Sequence, residues 1–213
     1  MGMAIAVKVV PVGPLQMNSV ILTTEGPAGL EALIIDPGGD PEKLLRQVSD
    51  SGATLTALLA THGHFDHVEG AAAIQETVDL PLHCHPDDMF LIEQMPAIQA
   101  AYGLPTTAIP RCAADLADGI TVPWAGHEIP VTHVPGHSPG QVMFTIDGHA
   151  IVGDCLFAGS VGRTDLPGGD FDTLARSIRE KIYTLPDETV VLCGHGPDTT
   201  VGREKVGNPF IPA

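Results

Sequence analysis

Four side chains of the kinds that bind metal ions lie within six residues: His62, His64, Asp66 and His67. The apolar residues 55–60 before them predict a buried strand, and residues 67–77 predict a helix. Gly63 has no side chain, so the imidazoles beside it can turn toward one ion while Asp66 and His67 face a second. Imidazole and carboxylate ligands suit zinc, iron or manganese. The alternative, a polar loop with Asp66 as a helix cap, is disfavoured by this density of ligands.

Three further candidates, each directly after an apolar run that ends in glycine, are His137, Asp154 and His195. Each run predicts a strand, and a glycine allows the backbone to approach an ion closely. Taken singly, each residue fits a structural role better than a metal-binding role. Their common placement reverses that interpretation, because strand ends that meet at one edge of a fold would bring all seven side chains together.

The chain reads as one α/β (α+β) domain spanning residues 1–213, with strands predicted over residues 5–10, 20–24, 30–35, 55–60, 82–84, 120–122, 129–134, 142–146, 150–152 and 189–192. Asp147 and Gly148 form a two-residue hairpin signal. A helix over residues 41–50 is predicted from Asp40 as N-cap and Gly52 as terminator. Further helices are expected from residue 86 to about 95 and from 171 to about 185. Two sheets packed face to face with helices outside fit this pattern, and so does a single parallel sheet.

Charge and cysteine content limit the partners and the compartment. A formal charge of −16 disfavours nucleic acid and anionic membranes, which attract basic proteins. No apolar run reaches the ~18 residues of a membrane helix. The four cysteines form no C-x-x-C pair, and the N-terminus lacks a secretory pattern. These features predict free thiols and a cytoplasmic protein with no nucleic-acid or membrane partner; a homo-oligomer stays open.

The pattern His62-x-His64-x-Asp66-His67, followed by His137, Asp154 and His195, resembles the metallo-β-lactamase superfamily over almost the whole chain. Residues 153–170 and 193–198 resemble short, single-domain proteins similar to glyoxalase II (hydroxyacylglutathione hydrolase). The resemblance implies an αββα sandwich, two mixed sheets face to face with helices outside, and metals at one edge.

The resemblance also implies roles for the candidate residues. His62, His64 and His137 would hold one divalent ion, Asp66, His67 and His195 the other, and Asp154 would bridge them. Zinc is the first choice of metal, with iron or manganese as alternatives. A hydroxide shared by two ions roughly 3.5 to 4 Å apart would be the nucleophile. Asp66 would orient it and help pass its proton to the leaving group.

The leading hypothesis is hydrolysis of a small-molecule thioester of the hydroxyacylglutathione (lactoylglutathione) type. The alternatives are an iron-dependent glutathione persulfide dioxygenase, a lactone or β-lactam hydrolase, and a non-catalytic metal-binding protein. Arg163, one of only ten basic residues, is the candidate for binding a substrate carboxylate. Pairing of Arg163 with Asp165 or Asp170 is an equally weighted structural alternative.

Overall fold

The computed structural model describes residues 4–212, so residues 1–3 and 213 of the predicted domain lie outside the described residues. Along the chain, the first six strands are β1 (Ala6–Val12), β2 (Met17–Gly26), β3 (Gly29–Ile35), β4 (Thr54–Leu59), β5 (Leu82–His83) and β6 (Cys112–Ala113). They lie side by side in chain order as one sheet. β1, β2 and β3 pair antiparallel, whereas β3 to β6 pair parallel, so this first sheet is mixed.

The strands that follow are β7 (Thr121–Trp124), β8 (His127–His133), β9 (Val142–Ile146), β10 (His149–Gly153), β11 (Leu156–Phe157), β12 (Ser160–Val161), β13 (Val190–Cys193) and β14 (Thr199–Thr200). Six of them form a second sheet in the order β14-β13-β10-β9-β8-β7, and β11 and β12 form a separate hairpin. β10 and β13 pair parallel, while the other neighbours in the second sheet pair antiparallel. The second sheet is therefore mixed as well.

Apolar side chains from the facing sides of both sheets form a shared core. Leu22 and Leu33 of the first sheet belong to the same buried cluster as Phe144 and Ile151 of the second. Because successive strand residues point to opposite faces, the neighbouring Ile34 lies in a different cluster, against helices. Strands covered on both faces explain the nearly continuous apolar runs of the sequence.

The helices cover the outer faces of the two sheets. Against the first sheet pack α1 (Pro41–Ser51), α2 (Phe65–Val68), α3 (Ala71–Gln75) and α4 (Met89–Ala101). Against the second pack α5 (Phe171–Ser177), a wider helical turn at Ile178–Ile182, and α6 (Val201–Gly207). None of the described helices has the length and apolar character needed to cross a membrane. The layers confirm the αββα sandwich, and the single parallel sheet is wrong.

Two helices have a different extent in the structure from the one predicted from the sequence. The helix expected over residues 67–77 begins at Phe65 and is split into α2 and α3. At the split, the Gly70 N–H donates to the Pro37 carbonyl at 3.0 Å, and a side chain at residue 70 would collide with the Gly38 carbonyl. The helix expected over residues 171–185 keeps α-helical bonding only to Ser177.

The expected cap of α1 is also different. Asp40 occupies the N-cap position with a left-handed φ of 53°, and its side chain makes no bond to the helix. Its carboxylate instead accepts from the Gly13 N–H at 3.0 Å. Gly52 ends the helix as expected, with φ 76°. Asp40 thus connects α1 to the loop between β1 and β2.

We predict that Phe144→Ala lowers the free energy of unfolding by about 3–5 kcal/mol, because it opens a cavity between the sheets where Phe144 is fully buried. Phe210→Ala is the matched control, since that ring is 52% exposed, and its expected effect is within about 0.5 kcal/mol. Urea unfolding of the metal-free chain measures both. Equal losses would contradict a core shared by the two sheets.

Candidate metal centre

The seven predicted side chains come from loops at one edge of both sheets. His62 and His64 follow β4, and Asp66 and His67 lie in α2. His137 lies between β8 and β9, Asp154 follows β10, and His195 follows β13. The sequence-based expectation that these strand ends meet is confirmed by the distances between the side chains.

The first group consists of His62, His64 and His137, whose ring nitrogens approach one another within 4.8 Å. His64 Nδ1 lies 2.8 Å from His137 Nε2. The ring centroid of His62 lies 4.8 Å from that of His64 and 4.9 Å from that of His137. Three imidazoles therefore converge on one point.

The second group consists of Asp66, His67 and His195. His195 Nε2 lies 3.2 Å from Asp66 Oδ2, and His67 Nε2 lies 3.9 Å from the same oxygen. Asp154 stands between the groups: its Oδ1 is 3.3 Å from His67 Nε2, and its Oδ2 is 3.7 Å from His137 Nε2. The two oxygens of one carboxylate thus face both groups.

Four of the five imidazoles are held by Nδ1 and present Nε2 to the centre. His137 Nδ1 lies 2.7 Å from the Arg163 carbonyl, and His195 Nδ1 lies 3.3 Å from the Leu15 carbonyl. His67 Nδ1 lies 2.9 Å from a carboxylate oxygen of Asp36. An acceptor at Nδ1 places the ring proton there and leaves the lone pair of Nε2 free for a metal ion.

Asp36 is a functional residue that the sequence analysis missed. Its carboxylate accepts from the Thr61 backbone N–H at 2.6 Å, from the Thr61 hydroxyl at 2.7 Å and from His67 Nδ1. The Thr61 hydroxyl in turn lies 3.1 Å from His62 Nδ1. One buried carboxylate therefore orients a ring in each group. Asp36 directly follows the apolar run that forms β3, which is the signal used for His137, Asp154 and His195 and could have found it.

Asn18 holds the loop that carries His195. Its amide Nδ2 donates to the Cys193 carbonyl at 3.0 Å and to the Gly196 carbonyl at 2.8 Å. Sequence reasoning had no signal for Asn18, because its partners lie more than 170 residues away in the chain.

The glycine before His195 has a packing role. A side chain on Gly194 would collide with the carboxylate of Asp154, and one on Gly136, where φ is 135°, would collide with Leu174. The expectation that glycines adjoin the candidates so that backbone can approach an ion is therefore wrong for Gly136, which makes room for α5 instead.

The donor set fits divalent metal ions. Within residues 4–212, the buried polar atoms of the centre without a hydrogen-bond partner are His62 Nε2, His64 Nε2, His67 Nε2 and Asp154 Oδ1. Buried polar atoms without a partner are costly and rare in folded proteins. Imidazole nitrogens and carboxylate oxygens are the donors that zinc, iron and manganese accept.

Electrostatics in the centre favour a positive charge. Burial lowers the pKa of His67, but Asp154, Asp36 and Asp66 around it outweigh burial and raise that pKa well above its ordinary value. Burial and the neighbouring His137 lower the pKa of His64 to about 3. Burial raises the pKa of Asp154, yet His67, His137 and His195 hold it below the usual range. At neutral pH the carboxylates of the centre are therefore ionised and His64 is a neutral donor, whereas His67 has to lose a proton before it can bind a metal ion.

Arg163 contacts the centre through its backbone. Its carbonyl holds His137, whereas its guanidinium makes two bonds to Asp165, of 2.7 and 2.8 Å, on an exposed surface. The structural alternative of pairing with Asp165 is thus the observed contact of this side chain.

A second cluster outside the centre contains His85, Asp87 and His133. The two rings stack at 4.5 Å with an angle of 3° between their planes. In-plane lone pairs of parallel stacked rings cannot point at one ion, so this arrangement does not form a metal site. His133 Nε2 instead lies 2.7 Å from the Pro139 carbonyl, which places His133 beside the His137 loop.

The cysteines adjacent to candidate residues point away from the centre. All four cysteines are free, and the side chains of Cys155 and Cys193 belong to the apolar cluster between the second sheet and α5. Burial raises the pKa of Cys193 to about 12. The prediction of free thiols is confirmed, and Cys155 and Cys193 have a buried packing role.

Comparisons with known proteins agree with this geometry. A family model of the metallo-β-lactamase superfamily matches residues 12–195. Hydroxyacylglutathione hydrolase GloC of Haemophilus influenzae is 36% identical over 211 residues, covering 96% of this chain and 97% of that protein. The structure of TTHA1623 in a di-iron-bound form is 42% identical, with a TM-score of 0.85, and covers 96% of this chain and 100% of its own. BLEG-1, a B3 metallo-β-lactamase, is 38% identical, with a TM-score of 0.87, and covers 98% and 100%.

We predict that Asp36→Asn lowers the affinity for metal by about 10- to 100-fold. The Asp36 carboxylate accepts on both oxygens, from the Thr61 N–H on Oδ1 and from His67 and the Thr61 hydroxyl on Oδ2, and the NH₂ group of an amide cannot accept on one of these sides. Asp115→Asn is the matched control, since Asp115 also pairs with a histidine, His83, at 2.9 Å but is 54% exposed. Elemental analysis and competition with a chelator measure the effect. Equal metal affinity in both variants would contradict the orienting role of Asp36.

Proposed function

The chain belongs to the metallo-β-lactamase superfamily, and on that premise we propose that it is a metal-dependent hydrolase of thioesters of the hydroxyacylglutathione type. The observation that carries the proposal is the pair of three-residue groups with Asp154 between them. The likeness to GloC, which covers nearly the whole length of both chains, supports the substrate class.

In this proposal, His62, His64 and His137 would hold one divalent ion, Asp66, His67 and His195 would hold the other, and Asp154, which faces both groups, would serve as a ligand to both. When bound, two such ions acidify a water molecule toward neutral pH and polarise a carbonyl group. Zinc is the first choice, and the di-iron form of TTHA1623 supports iron as an alternative. The protein supplies the donors in orientations already fixed by Asp36, Arg163 and Leu15.

Asp66 is the proposed catalytic residue. Its side chain is 13% exposed and can therefore meet both a water molecule and a substrate. Burial raises the pKa of Asp66, but His67 and the bond from His195 outweigh burial and lower it. An ionised carboxylate at neutral pH can orient the attacking water, take its proton at Oδ2 and return it to the leaving thiolate.

Because the chain is strongly acidic, binding of an anionic thiol requires a cation close to the centre. A protein of charge −16 repels glutathione conjugates at long range. We assign Arg163 as the cation that contacts a substrate carboxylate, because its backbone adjoins His137 and its side chain is exposed. Its pair with Asp165 is an exposed ion pair that solvent screens, so Arg163 can exchange Asp165 for a substrate carboxylate.

The second candidate function is an iron-dependent glutathione persulfide dioxygenase, favoured by the iron found in TTHA1623. The third is β-lactam or lactone hydrolysis, favoured by the likeness to BLEG-1. All three use nitrogen and oxygen donors, so the reaction has to be distinguished by its substrates.

We predict that lactoylglutathione is hydrolysed when zinc, manganese or iron is added, without oxygen consumption. Release of the thiol measures hydrolysis, and an oxygen electrode measures oxygen consumption. Hydrolysis of a chromogenic β-lactam is measured as a third reaction. Boiled protein and chelator-treated protein are the controls. Oxygen uptake with glutathione persulfide, and no thiol release from lactoylglutathione, would replace the hydrolase by the dioxygenase.

We predict that Asp154→Ala loses at least about 100-fold in kcat together with bound metal, because Asp154 faces both groups. Arg163→Ala should instead raise KM by about 10-fold or less, because it removes uniform binding. Asp165→Asn is the counterpart variant: it frees the Arg163 guanidinium and should lower KM for an anionic thioester. Equal kcat losses in the first two variants, with metal content intact, would count against the bridging role of Asp154.

A further inference from the structure

Asp88 is a carboxylate with no exposed surface that lies between two loops of the metal centre. Its Oδ2 accepts from the Gly63 N–H at 2.8 Å and from the Ser138 hydroxyl at 2.7 Å. Its Oδ1 accepts from the Gly140 N–H at 2.6 Å. The donors are 25, 50 and 52 residues away in the chain, so these contacts are tertiary.

A helix-capping role does not explain Asp88. It occupies the N-cap position of α4, where an aspartate usually accepts from the first backbone N–H groups of its own helix. Its side chain makes no such bond. All three donors come instead from the loops that carry the candidate metal ligands.

The two loops belong to different sheets. Gly63 lies between His62 and His64 after β4 of the first sheet, and Ser138 directly follows His137 in the loop between β8 and β9 of the second. Asp88 therefore spans the junction at which His64 Nδ1 and His137 Nε2 come within 2.8 Å of each other.

We propose that Asp88 is a positioning residue that sets the spacing of the metal pocket formed by His62, His64 and His137. The inference rests on the proposed metal-dependent function and goes beyond it, because Asp88 touches neither a metal ligand atom nor the reacting groups. It acts through the backbone of the two loops.

Steric constraints show how closely the loops approach this carboxylate. A side chain on Gly63 would lie 2.6 Å from the Asp88 carbonyl oxygen, and one on Gly140 would lie 2.8 Å from the Asp88 carboxyl carbon. Both positions therefore need glycine. Gly63 is the glycine between His62 and His64 in the predicted ligand segment.

The three hydrogen-bond donors around residue 88 explain why an acidic side chain is needed there. Burying a carboxylate costs several kcal/mol unless hydrogen bonds satisfy it. Three donors converge here, and an ionised carboxylate is acceptor-only, so it can satisfy all of them. An asparagine would place its NH₂ group against one N–H or hydroxyl donor and push one loop away. A spacing error of this kind changes metal affinity, whereas simple loss of a buried bond changes only stability.

The test compares Asp88→Asn with Glu204→Gln in the full-length chain. Glu204 is the matched control because it is also buried and accepts from Gly159, Thr199 and Asn208, outside the centre. Stepwise cobalt and zinc dissociation constants are measured by chelator competition, with the visible absorption of cobalt reporting the geometry of each pocket. Thermal unfolding of the metal-free proteins is measured in parallel.

We expect Asp88→Asn to lower the affinity for one of the two ions by about 10- to 100-fold and to change one cobalt absorption band. The affinity for the other ion should stay as in the wild type. Glu204→Gln should lower the melting temperature without changing either affinity. If both variants lose stability equally and both keep wild-type affinities and spectra, Asp88 has no positioning role. If Asp88→Asn does not fold, Ser138→Ala decides, because it removes one donor to Asp88. One of the two stepwise affinities should then be weakened, and two unchanged affinities overturn the proposal.

The proposed function has separate readouts. A wild-type chain that binds two ions but releases no thiol from lactoylglutathione contradicts the hydrolase and leaves the comparison of affinities intact. A wild-type chain that binds no ion contradicts both proposals.

Discussion

Apolar packing between the two sheets is the interaction on which the centre depends. The candidate side chains come from loops of both sheets, so their separation is set by how the facing sides pack around residues such as Leu33 and Phe144. Interiors are close-packed and transmit small shifts. Because the core holds the loop-bearing edges of the two sheets next to each other, loops as distant in the chain as those of His62 and His195 can share one site.

The apolar core alone does not orient the histidine rings of the centre. Buried hydrogen bonds to the loops that carry them are needed as well. Asp36 connects Thr61 and His67, Asp88 connects the loops of His64 and His137, and Asn18 holds the loop of His195. Each contact joins segments far apart in the chain. Burying such groups is unfavourable unless every donor and acceptor is used. The unpartnered nitrogens that face the centre are therefore exceptions with a specific reason, which is the binding of cations.

The same arrangement separates the chemistry of the centre from the charge of the surface. The carboxylates near the ligands are largely buried and paired with histidines, whereas most of the acidic excess lies elsewhere in the chain. Bound divalent ions are the largest local charges in such a site and change its potential more than distant surface charges do. A strongly acidic protein can thus present a locally positive reaction site.

The sequence by itself determined the ligand segment at residues 62–67, the strand ends before His137, Asp154 and His195, and most of the central strands, because these are local patterns of residue type and periodicity. Four strands of only two residues, β6, β11, β12 and β14, escaped prediction because so short a segment has no period to detect. The split after α2 and the side-chain partner of Asp40 depend on contacts with the loops at Gly38 and Gly13. Only the tertiary structure decided the roles of Asp36, Asp88 and Asn18 and the pairing of Arg163, since a carboxylate, amide or guanidinium acquires its function from the partners that folding brings within hydrogen-bond distance.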